Sequence, residues 1–249
     1  MAETAPVLEV EGLCKTYDQL EAVKGLSFSL SRGEIFGLIG ANGAGKTTTI
    51  AMILGLVTPS SGTIRIFGQD PERSRGQVLS RMNFSSPYVD LPARLTVTQN
   101  LLVYAQLYGV KNARQRVAEI LEQLEVTDQN RQRFGQLSSG QRTRVALAKS
   151  LINDPELLLL DEPTVSLDPD IAERVRTWLD EYRKRTGATL LITSHNMTEV
   201  ERICDRVLIL KGGERFAEGT PSALLERFGR DTLEQVFLDI ARSEEEAAS

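Results

Sequence analysis

Residues 40–48 read GANGAGKTT, the pattern G-x-x-x-x-G-K-[ST], directly after a short apolar run and at the head of a helical one. A backbone that wraps its N–H groups around phosphate oxygens needs glycine wherever a side chain would block approach. Gly40, Gly43 and Gly45 stand at those positions, with Ala41, Asn42 and Ala44 between them. The helix N-terminus that follows adds partial positive charge toward an anion. In this pattern Lys46 reaches the β- and γ-phosphates, the Thr47 hydroxyl ligates Mg2+, and Thr48 completes the binding loop. The chemistry is nucleotide binding.

A second group is LLLLDEPT, residues 157–164. Four leucines bury a strand, and Asp161 emerges at its C-terminal end, where open α/β sheets place ligands. There it can hold the Mg2+ that Thr47 also touches. Glu162 follows, a carboxylate able to polarise a water for attack on the γ-phosphate. Alone, the pair reads as a strand end or a helix cap before Pro163; beside a phosphate loop it reads as chemistry. The third group is LSSGQ, residues 137–141. Ser138 or Ser139 can cap a helix there, and its first N–H groups form another anion site. Two phosphate-seeking helix ends in one chain suggest a two-fold dimer, in which each signature helix closes over the partner's nucleotide. The single histidine, His195, ends the apolar run of LLITSH, and by itself it fits a core or capping role as well as a catalytic one.

The elements that must position these groups follow from periodicity. Residues 7–30 alternate as a half-buried antiparallel pair, and EIFGLIG (34–40) is a short buried strand. A helix is expected from about Lys46 to Pro59, then over 61–70 a strand ending in a turn. Between about 86 and 150 the character changes. Val117, Ile120, Leu121 and Leu124 recur at i, i+3, i+4, i+7, and TVTQNLLVYAQLYGV and SGQRTRVALAKSLIN also read as helices. Then buried strands (156–163 and 188–195) alternate with helices (170–187 and 197–205). The first of these helices is expected to bury Ile171, Val175, Trp178 and Tyr182. Gly212-Gly213 marks a hairpin, and the last 30 residues read as one or two helices with a frayed acidic end. Continuous apolar strands alternating with helices mean a parallel sheet covered on both faces.

Composition sets limits. The 249 residues are 41% apolar and 25% charged, ordinary for a globular protein, with a formal charge of −5. Lys and Arg are scattered, which argues against a dedicated nucleic-acid binder. Cys14 and Cys204 lie far apart without metal-ligand spacing and are expected as reduced, packed thiols. The start MAETAPVLEVEG lacks a basic segment followed by an apolar one, so no secretory signal is expected. No apolar run approaches the roughly 20 residues that span a bilayer. The expectation is a soluble chain, cytoplasmic and peripheral on the inner face of the cell membrane through a partner.

In this order and spacing, these motifs resemble the nucleotide-binding subunits of ABC transporters over essentially the whole chain. The match comprises Tyr17, the phosphate loop, LSSGQ, LLLLDEP, SLD at 166–168 and SH at 194–195. The resemblance implies an α/β fold with a P-loop NTPase (RecA-like) core, a mainly parallel sheet, an antiparallel β subdomain and an inserted α-helical subdomain. It implies one ATPase domain over 7–232, with its core at about 7–85 and 151–220, a helical subdomain at about 86–150, and a helical tail over 221–249. By resemblance Tyr17 stacks on adenine, and Ser138, Ser139, Gly140 and Gln141 form the signature that meets the partner's ATP. Asp168 lies in the loop communicating across the dimer, Glu162 is the catalytic carboxylate, and His195 contacts the γ-phosphate. ATP and Mg2+ are the implied cofactors. The implied partners are an integral-membrane permease and a second ATPase subunit, identical or paired, with no nucleic acid.

Two departures stand out. The signature has Ser139 where the family more often has glycine. The family also places a glutamine after the strand leading into the helical lobe, where it reaches Mg2+. Here that stretch reads RMNFSSPYVDLP, and the nearest equivalent is Ser86. A water would bridge the shorter side chain to the metal, or the metal would rely on Thr47, Asp161 and phosphate oxygens. The run GTPSALLERFGRDTLEQVFLDIAR (219–242) resembles the tails of ATPases from bacterial exporters of drugs and polysaccharides. The leading expectation is therefore an exporter's energy subunit. The competing one is a soluble ATPase of the same superfamily acting on ribosomes or nucleic acid. That class usually carries two cassettes or a long coiled coil, which this chain lacks. A P-loop kinase would have no reason to carry LSSGQ or the Asp-Glu pair.

Overall fold

Leu8, Val10 and Leu13 on one run and Val23, Leu26, Phe28 and Leu30 on the next are buried in alternation, which makes β1 (Leu8–Tyr17) and β2 (Leu20–Leu30) an antiparallel pair. The computed structural model describes residues 5–86 and 90–247, with side-chain surroundings through Ile240. The first four residues, positions 87–89 within the stretch RMNFSSPYVDLP, and the final two residues of the acidic end lie outside the described residues. Further along the chain come β3 (Ile35–Gly40), α1 (Lys46–Ile53), β4 (Ser61–Ile66), α2 (Arg75–Leu79) and β5 (Met82–Ser85). Then follow α3 (Val97–Leu107), α4 (Ala113–Gln123), α5 (Ser139–Ser150), β6 (Leu157–Asp161) and α6 (Pro169–Thr186). The last elements are β7 (Thr189–Thr193), α7 (Met197–Ile203), β8 (Arg206–Lys211), β9 (Glu214–Gly219), α8 (Pro221–Phe228) and α9 (Leu233–Ala247).

The contacts divide the chain into two compact units: residues through Val78 together with those from Thr189 onward, and residues Leu79–Ala188. In the first unit β1 lies between β2 and β4, antiparallel to both. A second sheet has β3 between β7 and β8, parallel to both, with β9 antiparallel at its edge. The residues of β3 and β7 are buried throughout, as expected of strands covered on both faces. The β8–β9 turn is the expected Gly212-Gly213, both at positive φ (54° and 86°), as a tight hairpin turn with the strands' own twist requires.

In the second unit β5 and β6 pair in parallel, Met82 opposite Leu157 through Ser85 opposite Leu160. The expected helices are present as α3, α4 and α5. Thr96 caps α3 through a reciprocal bond with Gln99, and α4 buries Val117, Ile120 and Leu121.

Two expectations change, and one element had no signal in the sequence. The helix after the phosphate loop ends at Ile53 and does not run to Pro59, because Gly55 at φ 66° turns the chain just beyond the Leu54 cap. The short helix α2 had no periodic signal, being only five residues long with Val78 as its buried residue. In α6 the inward face is Ala172, Val175, Leu179 and Tyr182. Ile171 and Trp178 are half-buried at its margin, and Trp178 is instead stacked on Tyr182 with ring centroids 5.3 Å apart. The larger side chains suggested the wrong edge of the stripe; packing chose the smaller Ala172. Both cysteines are free thiols.

Candidate functional site

The phosphate loop hangs from the end of β3, and its path is set by glycine. Gly43 has φ 82° and Gly45, the residue before α1, φ 101°. A Cβ at Gly45 would lie 2.7 Å from the Ala22 carbonyl oxygen of β2, and one at Gly40 would lie 2.7 Å from the carbonyl oxygen of Leu210. Both positions admit only hydrogen. Lys46 turns back over the loop and donates to the carbonyls of Gly40 (2.6 Å) and Ala41 (3.0 Å), fixing the curve. Thr49 anchors the helix start from beneath, its hydroxyl and its N–H both donating to the Gly45 carbonyl at 2.9 Å.

No acidic residue lies in the first turn of α1, and no side chain caps it. Its first-turn N–H groups and positive dipole end therefore remain directed at whatever the loop encloses. Asn42, Gly43 and Thr47 are exposed, and Ala44 is buried beneath them. The loop forms a shallow, solvent-facing anion cradle on a packed base.

Two other predicted residues belong to the same unit. Tyr17 ends β1 opposite Leu20, is 42% exposed, and has the Lys15 ammonium 5.0 Å from its ring centroid. His195 lies just past β7 and is exposed, which removes the core-filler reading. The turn beneath it is tightly held. The buried Ser194 hydroxyl donates to Glu199 (2.9 Å) and accepts from Asn196 N–H (3.1 Å), while the Asn196 side chain caps α7 by accepting from Glu199 N–H (3.2 Å). Sequence reasoning placed Ser194 in the SH motif but missed Glu199 and the bond between them. The signal was available, because Asn196 with Glu199 three residues on is a helix-start pattern.

The remaining predicted residues belong to the second unit. Asp161 ends β6 and is buried, and its Oδ2 accepts from the Ser86 hydroxyl at 3.1 Å, with Ser86 buried as well. These two predicted residues are in direct contact. Glu162 is half-buried and has φ 51°, a left-handed backbone unusual for a non-glycine residue. The tight turn after it, with Val165 N–H donating to the Glu162 carbonyl at 3.2 Å, holds that conformation. Strain of this kind is found where structure over-determines a residue's direction.

At the signature, Ser138 is the cap. Its hydroxyl accepts from Gln141 N–H (3.3 Å) and its own N–H donates to the Gln141 side chain (2.9 Å). Each of those side chains is thereby bonded to the other residue's backbone N–H, while Ser139 is exposed at the first position of α5. Gly140 passes close to the turn after Glu162, since a Cβ there would be 3.2 Å from the Ser166 carbonyl. Asp168 is exposed and precedes Pro169 at the head of α6.

Sequence reasoning also missed Lys149, near the end of α5. Its ammonium donates to the Asn83 side chain (3.1 Å) and the Phe84 carbonyl (3.0 Å) of β5 and lies 5.3 Å from the Tyr104 ring centroid. Burial lowers its pKa to about 8. No pattern in the sequence marks this lysine.

The ABC transporter family model matches residues 23–165. The chain is 42% identical over 228 residues to Nod factor export ATP-binding protein I of Burkholderia orbicola, covering 88% of this chain and 73% of that protein. It is 38% identical over 232 residues to linearmycin resistance ATP-binding protein LnrL of Bacillus subtilis, covering 92% and 74%. Among solved structures, an ATP-binding subunit of an ABC transporter superposes with a TM-score of 0.87 at 28% identity, over 94% of this chain and 99% of that one. A dimeric ATP-binding cassette in a post-hydrolysis state with ADP and Pi superposes with a TM-score of 0.80 at 25% identity, over 86% and 98%.

Proposed function

Since this chain belongs to the ABC transporter family and is an ATP-binding and ATP-hydrolysing subunit of it, we propose that it powers a separate membrane permease that works as an exporter. The observation that carries the reading is the glycine-shaped phosphate loop opening onto an uncapped, acid-free helix start. Its context is a chain whose relatives are an export and a resistance ATPase. Among the described residues no helix is long and apolar enough to cross a membrane. The proposal therefore assigns the membrane path, and recognition of the cargo, to the permease, with this subunit on its cytoplasmic face. The ATPase domain is read as 7–232 and the tail as 221–249.

In this reading residues 40–48 enclose the phosphates and Tyr17 stacks on the base. Ser138, Ser139, Gly140, Gln141 and Asp168 face the nucleotide of a second cassette in the dimer. Glu162 accepts a proton from the attacking water as the water oxygen bonds to the γ-phosphorus and the bond to ADP breaks. His195 donates a hydrogen bond to the γ-phosphate as charge develops there. Thr47 and Asp161 offer the hard oxygen donors that Mg2+ takes, and Asp161 already accepts a hydrogen bond from neutral Ser86, which keeps its carboxylate oriented. Mg2+, when bound, neutralises the β- and γ-phosphate oxygens.

The test is Glu162→Gln, which keeps the shape and cannot accept the proton. Turnover should fall with ATP still bound, and the variant should run as an ATP-dependent dimer by size exclusion. In detergent extracts the same trapped form should co-purify with a multi-span membrane protein. Rapid hydrolysis by this variant would show that another group polarises the water. Co-purification with ribosomes or nucleic acid instead would replace the transporter reading with the soluble one.

A further inference from the structure

Ser86, the nearest equivalent of the family glutamine, lies just past β5, and the structure shows what its side chain touches. The parallel register pairs Ser85 with Leu160, so the next step along both strands sets Ser86 beside Asp161. The Ser86 hydroxyl donates to Asp161 Oδ2 at 3.1 Å, and both residues are less than one-tenth exposed. A hydrogen bond to a buried carboxylate is stronger than one in water and fixes which way the carboxylate faces.

Ser86 is itself held from two sides. β6 pairs with β5 along its whole length. On the other side Lys149 of α5 donates to the Phe84 carbonyl and to the Asn83 side chain, at 3.0 and 3.1 Å. The Asn83 amide continues to Asn153 Oδ1 at 2.8 Å, and the Asn153 amide reaches the Ser80 carbonyl at 3.0 Å. The helix that begins with the signature at Ser139 is thus tied, near its other end, to the strand that leads into Ser86.

We propose that Ser86 is a positioning residue for Asp161, and that Lys149 passes the placement of α5 to that carboxylate through β5. This rests on the reading of Asp161 as a Mg2+ ligand. In this arrangement a short side chain orients the metal's own carboxylate ligand. A displacement of α5 along its axis would pull on Asn83 and Phe84 and shift the hydroxyl two residues on.

The experiment titrates Mg2+ into protein saturated with a fluorescent, non-hydrolysable ATP analogue, beginning in EDTA. Affinity for the analogue in EDTA and thermal melting in EDTA are recorded alongside. Ser86→Ala should raise the Mg2+ midpoint by about tenfold, the usual scale for losing a residue that orients a metal ligand. Its metal-free affinity should stay within about twofold of wild type, because the phosphate loop is untouched. Ser86→Thr, which keeps the donor, should return the midpoint to within about threefold. Ser86→Cys, close in size with a weak donor, should behave as Ser86→Ala and serves if the alanine variant melts early. Lys149→Met should shift the midpoint in the same direction and Lys149→Arg should restore it.

A wild-type midpoint in both Ser86→Ala and Ser86→Cys overturns the positioning role. A wild-type midpoint in Lys149→Met overturns the link to α5. The control is Asp161→Asn. If it too leaves the midpoint unchanged, the failure lies in the reading of Asp161 as a ligand, and the two errors are told apart.

Discussion

Gly45→Ala should damage this protein far more than Gly43→Ala, although both glycines lie in the phosphate loop at positive φ. An alanine at Gly43 (φ 82°) adds a Cβ with nothing within 4 Å, so its cost is backbone strain alone, about 1–2 kcal/mol. An alanine at Gly45 (φ 101°) carries similar strain, and its Cβ would also sit 2.7 Å from the Ala22 carbonyl oxygen and 3.3 Å from Val23 Cγ2. That oxygen cannot retreat easily. Ala22 falls at a bulge, but its neighbours Glu21 and Val23 pair with Thr16 and Lys15 of β1, and Lys24 N–H donates to the Gly213 carbonyl at 2.8 Å, which pins the strand on both sides of it. Overpacking against fixed backbone adds about 1–3 kcal/mol, for a total of about 2–5 kcal/mol.

For a chain of this length each kcal/mol lowers the melting temperature by roughly 2–4 °C. Without nucleotide, Gly45→Ala should therefore melt on the order of 10 °C below wild type, with Gly43→Ala well above it. Where the loop yields in place of the strand, the same energy appears as lost ATP affinity, about a hundredfold for each ~2.8 kcal/mol. Differential scanning fluorimetry and a fluorescent-nucleotide titration read the two outlets together. Equal melting temperatures and equal ATP affinities for the two variants would refute the argument that β2 shapes this loop.

Lys46→Ala should abolish tight ATP binding, since it removes both the phosphate cation and the latch on Gly40 and Ala41; wild-type affinity in a nucleotide titration would refute this. His195→Ala should lower kcat by about 10²–10³. Its ATP affinity and melting temperature should be nearly unchanged, because the side chain is exposed; equal losses in binding and turnover would make it structural. Burial lowers the Lys149 pKa to about 8, against about 10.4 in an unfolded chain. Between those values the unfolded chain holds a proton that the folded one lacks, so folding is favoured increasingly as pH rises. Urea unfolding of wild type minus Lys149→Met should be flat below pH 8 and then rise by about 3 kcal/mol toward pH 10.4. Burial raises the pKa values of Cys204 and Tyr182, which oppose this trend in alkali, but both are common to the two proteins and cancel. A flat or falling difference above pH 8 would show that Lys149 is not buried as a cation.

Much of the molecule was legible in the sequence because its chemistry is local. A phosphate loop is a run of nine residues whose glycines, lysine and threonine act through backbone they themselves shape, so GANGAGKTT announced the loop and the helix after it. A run as short as LLLL at 157–160, bounded by Pro155 and Pro163, reads as a buried strand, and Gly212-Gly213 reads as a hairpin turn. Tertiary structure decided what depends on partners distant in sequence. Whether Ala172 or Ile171 faces inward on α6 depends on the space its neighbours leave. That Gly45 must be glycine depends on a carbonyl 23 positions earlier in the chain. Ser86 and Asp161 are 75 residues apart, and their hydrogen bond exists because two parallel strands pair in one register. Lys149 looked like any cation in a last helical turn. Packing beneath Tyr104 and against β5 made it a buried, weakened base, because desolvation is a property of surroundings that no stretch of sequence contains.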